Sequence, residues 1–201
     1  MNRISVTLVA LGAVAGVALT SRDAHALGPV DIEVGAKVGG ATNPADSPQP
    51  NPLGVGLGAR GGVSIFGFYG GLNALYYLGS SADLTSNAVS SHFSNHAFQF
   101  GAELGYGFTF SILTIRPQVG LGTINFSGSS TTTIGGRTVD TDVPGKGYFY
   151  LEPGVTGMIG LGLWFVAADA NVLLIPSVDQ GNGDSKTFTS FTMHGQFGFK
   201  I

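Results

Sequence analysis

Few side chains in this sequence are spaced to do bond chemistry. A serine attacks an ester when a histidine beside it takes its proton and a carboxylate orients that histidine. His92 and Ser94, in the run His92-Phe93-Ser94-Asn95, stand two apart, which places them on one face of an extended chain. The nearest glutamate, Glu103, lies eleven residues beyond His92, and at about 3.4 Å per residue it falls far down the strand. No replacement acid is evident, so His92 and Ser94 read as ordinary loop residues and no catalytic residue is assigned. Zero cysteines exclude disulfides, thiolate metal sites and cysteine-linked lipid anchors, and four scattered histidines do not argue for a metal. The acidic run Asp179-Gln180-Gly181-Asn182-Gly183-Asp184 lacks the full spacing of a calcium loop and reads as a solvated turn. No metal and no cofactor is expected. A net charge of −3 leaves no basic footprint for nucleic acid.

The remaining charges fall into a pattern. From Asp31 the chain alternates, with Ile32, Val34, Ala36 and Val38 on one face and Asp31, Glu33 and Lys37 on the other. Seven further segments repeat this period of two. They set Arg60 against Leu53, Val55, Leu57, Ala59, Val63 and Ile65; Asn73 and Tyr77 against Leu72, Ala74 and Tyr76; and Glu103 against Phe100, Ala102 and Leu104. Arg116 opposes Ile115 and Val119, Glu152 opposes Leu151 and Val155, and Asp169 opposes Val166, Ala168 and Ala170, although Leu163, Phe165 and Leu173 blur that polar face. In the eighth segment Thr192, His194, Gln196 and Lys200 oppose Phe191, Met193, Phe197, Phe199 and Ile201. Nine charges thus share the polar faces: Asp31, Glu33, Lys37, Arg60, Glu103, Arg116, Glu152, Asp169 and Lys200.

What positions them is an all-β chain with two unlike faces. Charged residues are only 10% of the sequence, where a soluble domain carries about 25%. A ligand-binding barrel in water would turn its apolar face inward and need many more charges outside. Here the apolar faces carry none, as a lipid-facing surface requires, since a Lys or Arg at the bilayer midplane costs about 2–4 kcal/mol. Links joining the segments alternate in length. Short ones are expected at Ser64–Phe66, Thr109–Ile112 and Gly157–Gly162, and long polar ones at Ala41–Pro52, Gly79–Asn95, Asn125–Gly147 and Pro176–Lys186. Short periplasmic turns and long extracellular loops have this order in outer-membrane barrels. In that frame Phe66, Phe68, Phe108, Trp164, Phe197 and Phe199 fall toward the periplasmic interface and Tyr76, Phe98, Phe149 and Phe191 toward the outer one. Pro117 and Pro153, without ladder donors, are expected to sit at bulges.

Residues 1–26 read as a signal peptide, with Arg3 before an apolar run from Ile4 to Leu19 and the small-x-small site Ala24-His25-Ala26. Residues 27–201 then form one domain, an eight-stranded antiparallel up-and-down transmembrane β-barrel exported to the cell outer membrane.

The eight alternating segments, the runs Arg116-Pro117-Gln118-Val119-Gly120-Leu121-Gly122 and Leu151-Glu152-Pro153-Gly154-Val155, and the closing Phe197-Gly198-Phe199-Lys200-Ile201 resemble the OmpA/OmpX-type small outer-membrane β-barrel family. The resemblance implies outer-membrane lipid as surroundings and the barrel-assembly machinery as a biogenesis partner. That machinery reads an aromatic terminal residue, and here Ile201 stands in its place with Phe199 two before it. An eight-strand lumen is just wide enough for side chains to fill, so the nine charges are expected to form a plug of ion pairs. Arg60 or Arg116 with Glu103 or Glu152 are the expected partners. The functional expectation is a structural anchor or surface-loop scaffold, with an unidentified extracellular ligand for the loops; the alternatives are a small diffusion pore or a hydrolase. His92-Phe93-Ser94-Asn95 resembles the His-x-Ser-Asn segment of outer-membrane lipid A 3-O-deacylases, a family that also needs a glutamate to orient its histidine.

Overall fold

The computed structural model describes residues 30–42, 51–86, 89–134, 136–179 and 185–201. The expected signal peptide at 1–26 lies outside them. Within them ten strands form: β1 (Val30–Ala41), β2 (Val55–Ile65), β3 (Phe68–Tyr77), β4 (Ser81–Ser86), β5 (Val89–Tyr106), β6 (Phe108–Phe110), β7 (Leu113–Ile134), β8 (Arg137–Leu161), β9 (Trp164–Asp179) and β10 (Ser185–Lys200). Every pairing is antiparallel. β4 continues β3 along β5, and β6 continues β5 along β7, so the ring has eight staves in the order β1-β2-β3-β5-β7-β8-β9-β10 and back to β1. The seam is made by β1 and β10, from Glu33↔Lys200 to Ala41↔Thr192. It is tied at its lower end by reciprocal bonds between the backbones of Ile32 and Ile201, at 2.7 and 2.9 Å. Closure leaves no unpaired edge within the barrel wall, which is what allows strands to stand in lipid.

Side-chain direction follows the expected parity within the strands; Leu53, expected outside with Val55 and Leu57, precedes β2 and is buried inside instead. Ile32, Val38, Leu57, Val63, Leu72, Phe100, Leu104, Ile115, Leu121, Val155, Val166 and Val172 all lie exposed on the outer wall. Glu33, Lys37, Arg60, Asn73, Glu103, Arg116, Glu152, Asp169 and His194 are buried inside. The lower turns are two residues each. Phe66 and Gly67 both have positive φ (51° and 87°), the type I′ geometry that suits the twist of a hairpin. At Ser111–Ile112 and Gly162–Leu163 the first residue is left-handed, with φ of 58° and 74°.

Three expectations about the connections are corrected. The link placed at Gly157–Gly162 is strand as far as Leu161, because the inward Met158 is apolar and hides the parity; the turn itself is Gly162–Leu163. The stretches Gly79–Asn95, Asn125–Gly147 and Pro176–Lys186 are largely strand as well, since β4 with β5, β7 with β8, and β9 with β10 run past the rim as hairpins. Beyond the lipid both faces meet water, so the apolar alternation vanishes while the ladder and its β-favouring threonines persist. Finally, Pro117 and Pro153 sit in unbroken register on the β7–β8 ladder (Pro117↔Val155, Val119↔Pro153), whose shift falls between Phe126 and Gly128. On the other side of β8 the ladder skips Glu152 and Pro153 and resumes in the same register.

Candidate functional site: the lumen

The lumen is built in layers. At the periplasmic mouth Lys200 Nζ lies 3.0 Å from Asp31 Oδ2, both partly exposed. Above them Met158, Phe165 and Ala167 form a small buried apolar cluster.

The polar layer follows. Glu33 is its hub: Arg116 donates to both carboxylate oxygens, at 2.9 and 2.5 Å, and Arg60 Nη2 donates to Oε2 at 3.1 Å. The two guanidinium groups flank the ring of Tyr69, at 4.6 Å (Arg60) and 4.1 Å (Arg116) from its centroid, a geometry worth on the order of 1–2 kcal/mol per contact when desolvated. Glycine makes room for that ring. A Cβ at Gly62 or Gly71, which face each other across β2 and β3, would stand 2.6 or 2.2 Å from the Tyr69 hydroxyl.

A second hub is Asp169, which accepts from Lys37 Nζ (3.1 Å), His194 Nδ1 (2.8 Å), Asn171 Nδ2 (2.8 Å) and Gln196 Nε2. Lys37 also reaches Glu103 at 3.4 Å, and Asn73 donates to the same Glu103 oxygen at 2.7 Å. Among the described residues Glu152 takes only neutral donors, Gln99 Nε2 and Thr192 Oγ1, each at 2.8 Å. Among the described residues four buried side-chain atoms have no hydrogen-bond partner: Arg60 Nε, Arg116 Nε, Tyr69 Oη and Glu103 Oε2. Two of these, Arg60 Nε and Glu103 Oε2, face each other at 3.8 Å.

Toward the outer mouth the lumen turns apolar again. Leu75, Tyr77, Ala97, Ile124, Tyr150, Leu173 and Ile175 pack around Leu53, which enters from the β1–β2 connection and is 0% exposed. Asn51 fixes that insertion by accepting from the Leu53 N–H (3.0 Å) and donating to the Ala41 carbonyl (2.9 Å). Tyr77 joins the layers, its hydroxyl lying 3.3 Å from Gln99 Oε1 and 3.1 Å from His194 Nε2.

Of the nine charges expected in the plug, seven meet in the buried layer, and Asp31 with Lys200 forms a separate pair at the mouth. Of the expected arginine partners, Arg60 with Glu103 is present as a long contact and the others are corrected. Both arginines converge on Glu33, Arg60 approaches Glu103 only at 3.8 Å, and among the described residues Glu152 has no basic partner within salt-bridge distance. Glu33 wins because Arg116 reaches it from the opposite stave β7 with bidentate geometry while Arg60 reaches it from the neighbouring stave β2 through one nitrogen. Sequence reasoning put Asn73, Gln99, Thr192, His194 and Gln196 on the polar faces without making them members of the network. It missed the apolar caps, although Phe165 and Leu173, which blur the polar face of β9, are their trace.

On the outer wall the aromatics gather at two levels. Low on the barrel Phe68, Tyr106 and Phe108 meet edge to face and Trp164 packs on Phe197 and Phe199; Phe66 stands in the turn below. High on it Tyr76 pairs across the strands with Phe98, and Phe149 and Phe191 are exposed. Tyr106 and Phe110, absent from the expected belt, belong to the lower level.

His92 and Ser94 lie on β5, not in a loop. Asp83, directly across on β4, places Oδ1 2.6 Å from His92 Nδ1, so an acid does orient the histidine, in an exposed position. Ser94 stands opposite Ser81 and Ser129, and among the described residues no hydrogen bond joins it to His92. The serine that does meet a histidine is Ser127, 2.7 Å from His96 Nε2. Acid–histidine and serine–histidine contacts thus occur on different histidines, and no triad is assembled among the described residues. The acidic run around Asp179–Asp184 lies largely outside them. Among those described, no group of three or more metal-ligating side chains comes together.

A closed ring of eight staves with an apolar exterior, two aromatic levels and a polar interior has the build of a small outer-membrane β-barrel. Comparison with known proteins agrees on the fold. A major outer membrane protein of Thermus thermophilus superposes with a TM-score of 0.50 at 10% identity, over 86% of this chain and 99% of that one. Neisserial surface protein A (0.45, 13% identity, 86% and 97%) and the Yersinia pestis attachment invasion locus protein Ail (0.42, 11% identity, 86% and 97%) are further neighbours. No protein-family model and no curated protein sequence matches the chain. The architecture is that of the OmpA/OmpX-type barrels.

Proposed function

We propose that this chain is a non-conducting anchor in the outer membrane that holds a surface-exposed β-sheet on a rigid barrel, without enzymatic activity of its own. One observation carries the reading: among the described residues the lumen holds a buried, hydrogen-bonded polar layer with a buried apolar cluster on either side of it. A conducting pore needs a continuous wet path, and buried Leu53, Tyr77 and Tyr150 above with Phe165 and Met158 below support the non-conducting reading. The hairpins past the rim provide the presenting surface, on a scaffold of the kind that positions recognition segments. Export through the signal peptide at 1–26, and recognition of the segment Phe197–Ile201 by the barrel-assembly machinery, complete the proposal.

The test is electrical. Purified protein reconstituted in planar bilayers is expected to give no steady channel, only the baseline leak of the bilayer. Reproducible unit conductance, abolished by boiling the protein, would show that the lumen opens and would replace the anchor reading with the pore.

A further inference from the structure

We infer that the lower end of the barrel is an interaction surface for inner-leaflet phospholipid, its three turns immersed at the headgroup–acyl boundary instead of standing in periplasmic water. This rests on the anchor reading above and names what the anchor grips at that end. The turns come at every second junction of the ring, between β2 and β3, between β5 with β6 and β7, and between β8 and β9; the β1–β10 seam occupies the fourth. Their residues are Ile65-Phe66-Gly67-Phe68, Phe110-Ser111-Ile112-Leu113 and Leu161-Gly162-Leu163-Trp164, of which none is charged and Ser111 has the one hydroxyl. Phe66, Phe68, Phe110, Ile112, Leu161 and Leu163 are all exposed. Two-residue turns that face water are filled by Asn, Asp and Gly. Phe66 departs furthest from that rule. It is 71% exposed and stands at φ 51°, a left-handed conformation that is costly for a bulky side chain and that asparagine takes readily. A phenylalanine kept against both solvent and backbone preference marks a contact.

The backbone of this rim points the same way, independently of the side chains. At all three turns the carbonyl of the second turn residue accepts from the next stave: Gly67 from the Gly107 N–H (2.7 Å), Ile112 from that of Gly160 (2.8 Å) and Leu163 from that of Lys200 (2.9 Å). The seam has the reciprocal bonds of Ile32 and Ile201. A turn carbonyl in water has solvent to bond, whereas irregular backbone in an apolar medium must find its partner in the protein. The surface is also continuous with the lipid-facing wall, since Ile65↔Phe68, Phe110↔Leu113 and Leu161↔Trp164 are the last rows of its ladders. Recurrence at every second junction fits a flat lipid boundary, which meets the whole ring; a protein docked from one side would not. Charge plays no part in the contact. Asp31 and Lys200, inside the ring at the mouth, engage each other, so the rim grips lipid through apolar side chains, as interfacial segments do.

The experiment uses the full chain in phospholipid liposomes, spin-labelled singly at Phe66→Cys, Ile112→Cys or Leu163→Cys, in a chain without native cysteine. Labels at Leu72→Cys on the outer wall and Thr138→Cys on the exposed hairpin mark lipid and water. The collision ratio of oxygen to a water-soluble nickel chelate is expected to be about tenfold higher at the turns than at Thr138→Cys, because a polar solute is excluded from an apolar layer. Turn ratios equal to that at Thr138→Cys, with Leu72→Cys lipid-like, would place the rim in water and overturn this inference alone. A water-like ratio at Leu72→Cys as well would take the chain out of the bilayer and bring down the anchor reading with it. Spin–spin broadening at the turns, lost when labelled chain is diluted with unlabelled, would assign the rim to a second copy and overturn the inference too. Phe66→Asn adds a test by sign. It creates the Asn-Gly pair that a turn in water prefers, so for a rim in water the urea midpoint of unfolding rises. For a rim in the leaflet it removes an immersed ring, and the midpoint is expected to fall. An unchanged or raised midpoint overturns the inference.

Discussion

Glu33 shows how a single side chain organises the interior. It is fully buried, and it is the acceptor shared by Arg60 and Arg116, so removing its charge leaves two buried guanidinium groups without their closest anion. Breaking a buried pair from one side costs about 3–5 kcal/mol. Glu33→Ala is therefore expected to lower the urea midpoint of unfolding in detergent by an amount corresponding to that loss. Asp31→Asn, which touches the half-exposed pair with Lys200, is expected to change stability by less than about 1 kcal/mol. Equal effects at the two positions would mean that Glu33 is not the hub described. Which residues face inward was readable from the sequence, because three charges of one parity in β1 and the polar stripe of β10 leave little choice. Which charge meets which was not. Partners across a lumen are set by side-chain length and stave position around the ring, and linear spacing encodes neither.

At the scale of the strand, the wall was legible where lipid imposes one apolar face and became illegible where it does not. The hairpins formed by β4 with β5 and by β7 with β8 read as loops because Ser129–Thr133 and Thr138–Thr141 carry no period of two in polarity, yet their ladders are continuous. These hairpins stand outside the barrel layers, so removing residues 129–142 is expected to leave the ring folded. The shortened chain should still migrate differently before and after boiling on detergent gels; loss of that shift would show that the hairpin supports the barrel. On the same sheet, Ser94→Ala is expected to leave the acylation of outer-membrane lipid unchanged, as measured by mass spectrometry of extracted lipid. Reduced deacylation relative to the parent chain would assign this face a hydrolytic role, despite the separation of its acid–histidine and serine–histidine contacts.

The whole molecule presents a single tryptophan, and its position reports the orientation of the barrel. Trp164 lies on the outer wall beside the Gly162–Leu163 turn, stacked on Phe197 and within 3.8 Å of the Phe199 ring centroid. Aromatic belts mark the boundary between hydrocarbon and headgroup. Its fluorescence in liposomes is accordingly expected to be quenched more strongly by lipids brominated near the carbonyl end of the acyl chain than by those brominated near the methyl end. Stronger quenching from the bilayer centre would shift the whole barrel relative to the membrane.

The seam between β1 and β10 also dictates the order in which this molecule comes into being. Every other neighbouring pair of staves can zip through a hairpin, whereas Glu33 and Lys200 must meet across nearly the full length of the chain. That contact carries the largest loop-closure entropy in the ring, and topologies dominated by distant pairings fold slowly. Until it forms, the outward edges of β1 and β10 are both open and the lumen charges lack their enclosure. The last event of folding, sealing the ring, is thus the one that converts an aggregation-prone ribbon into a molecule able to stand in a bilayer.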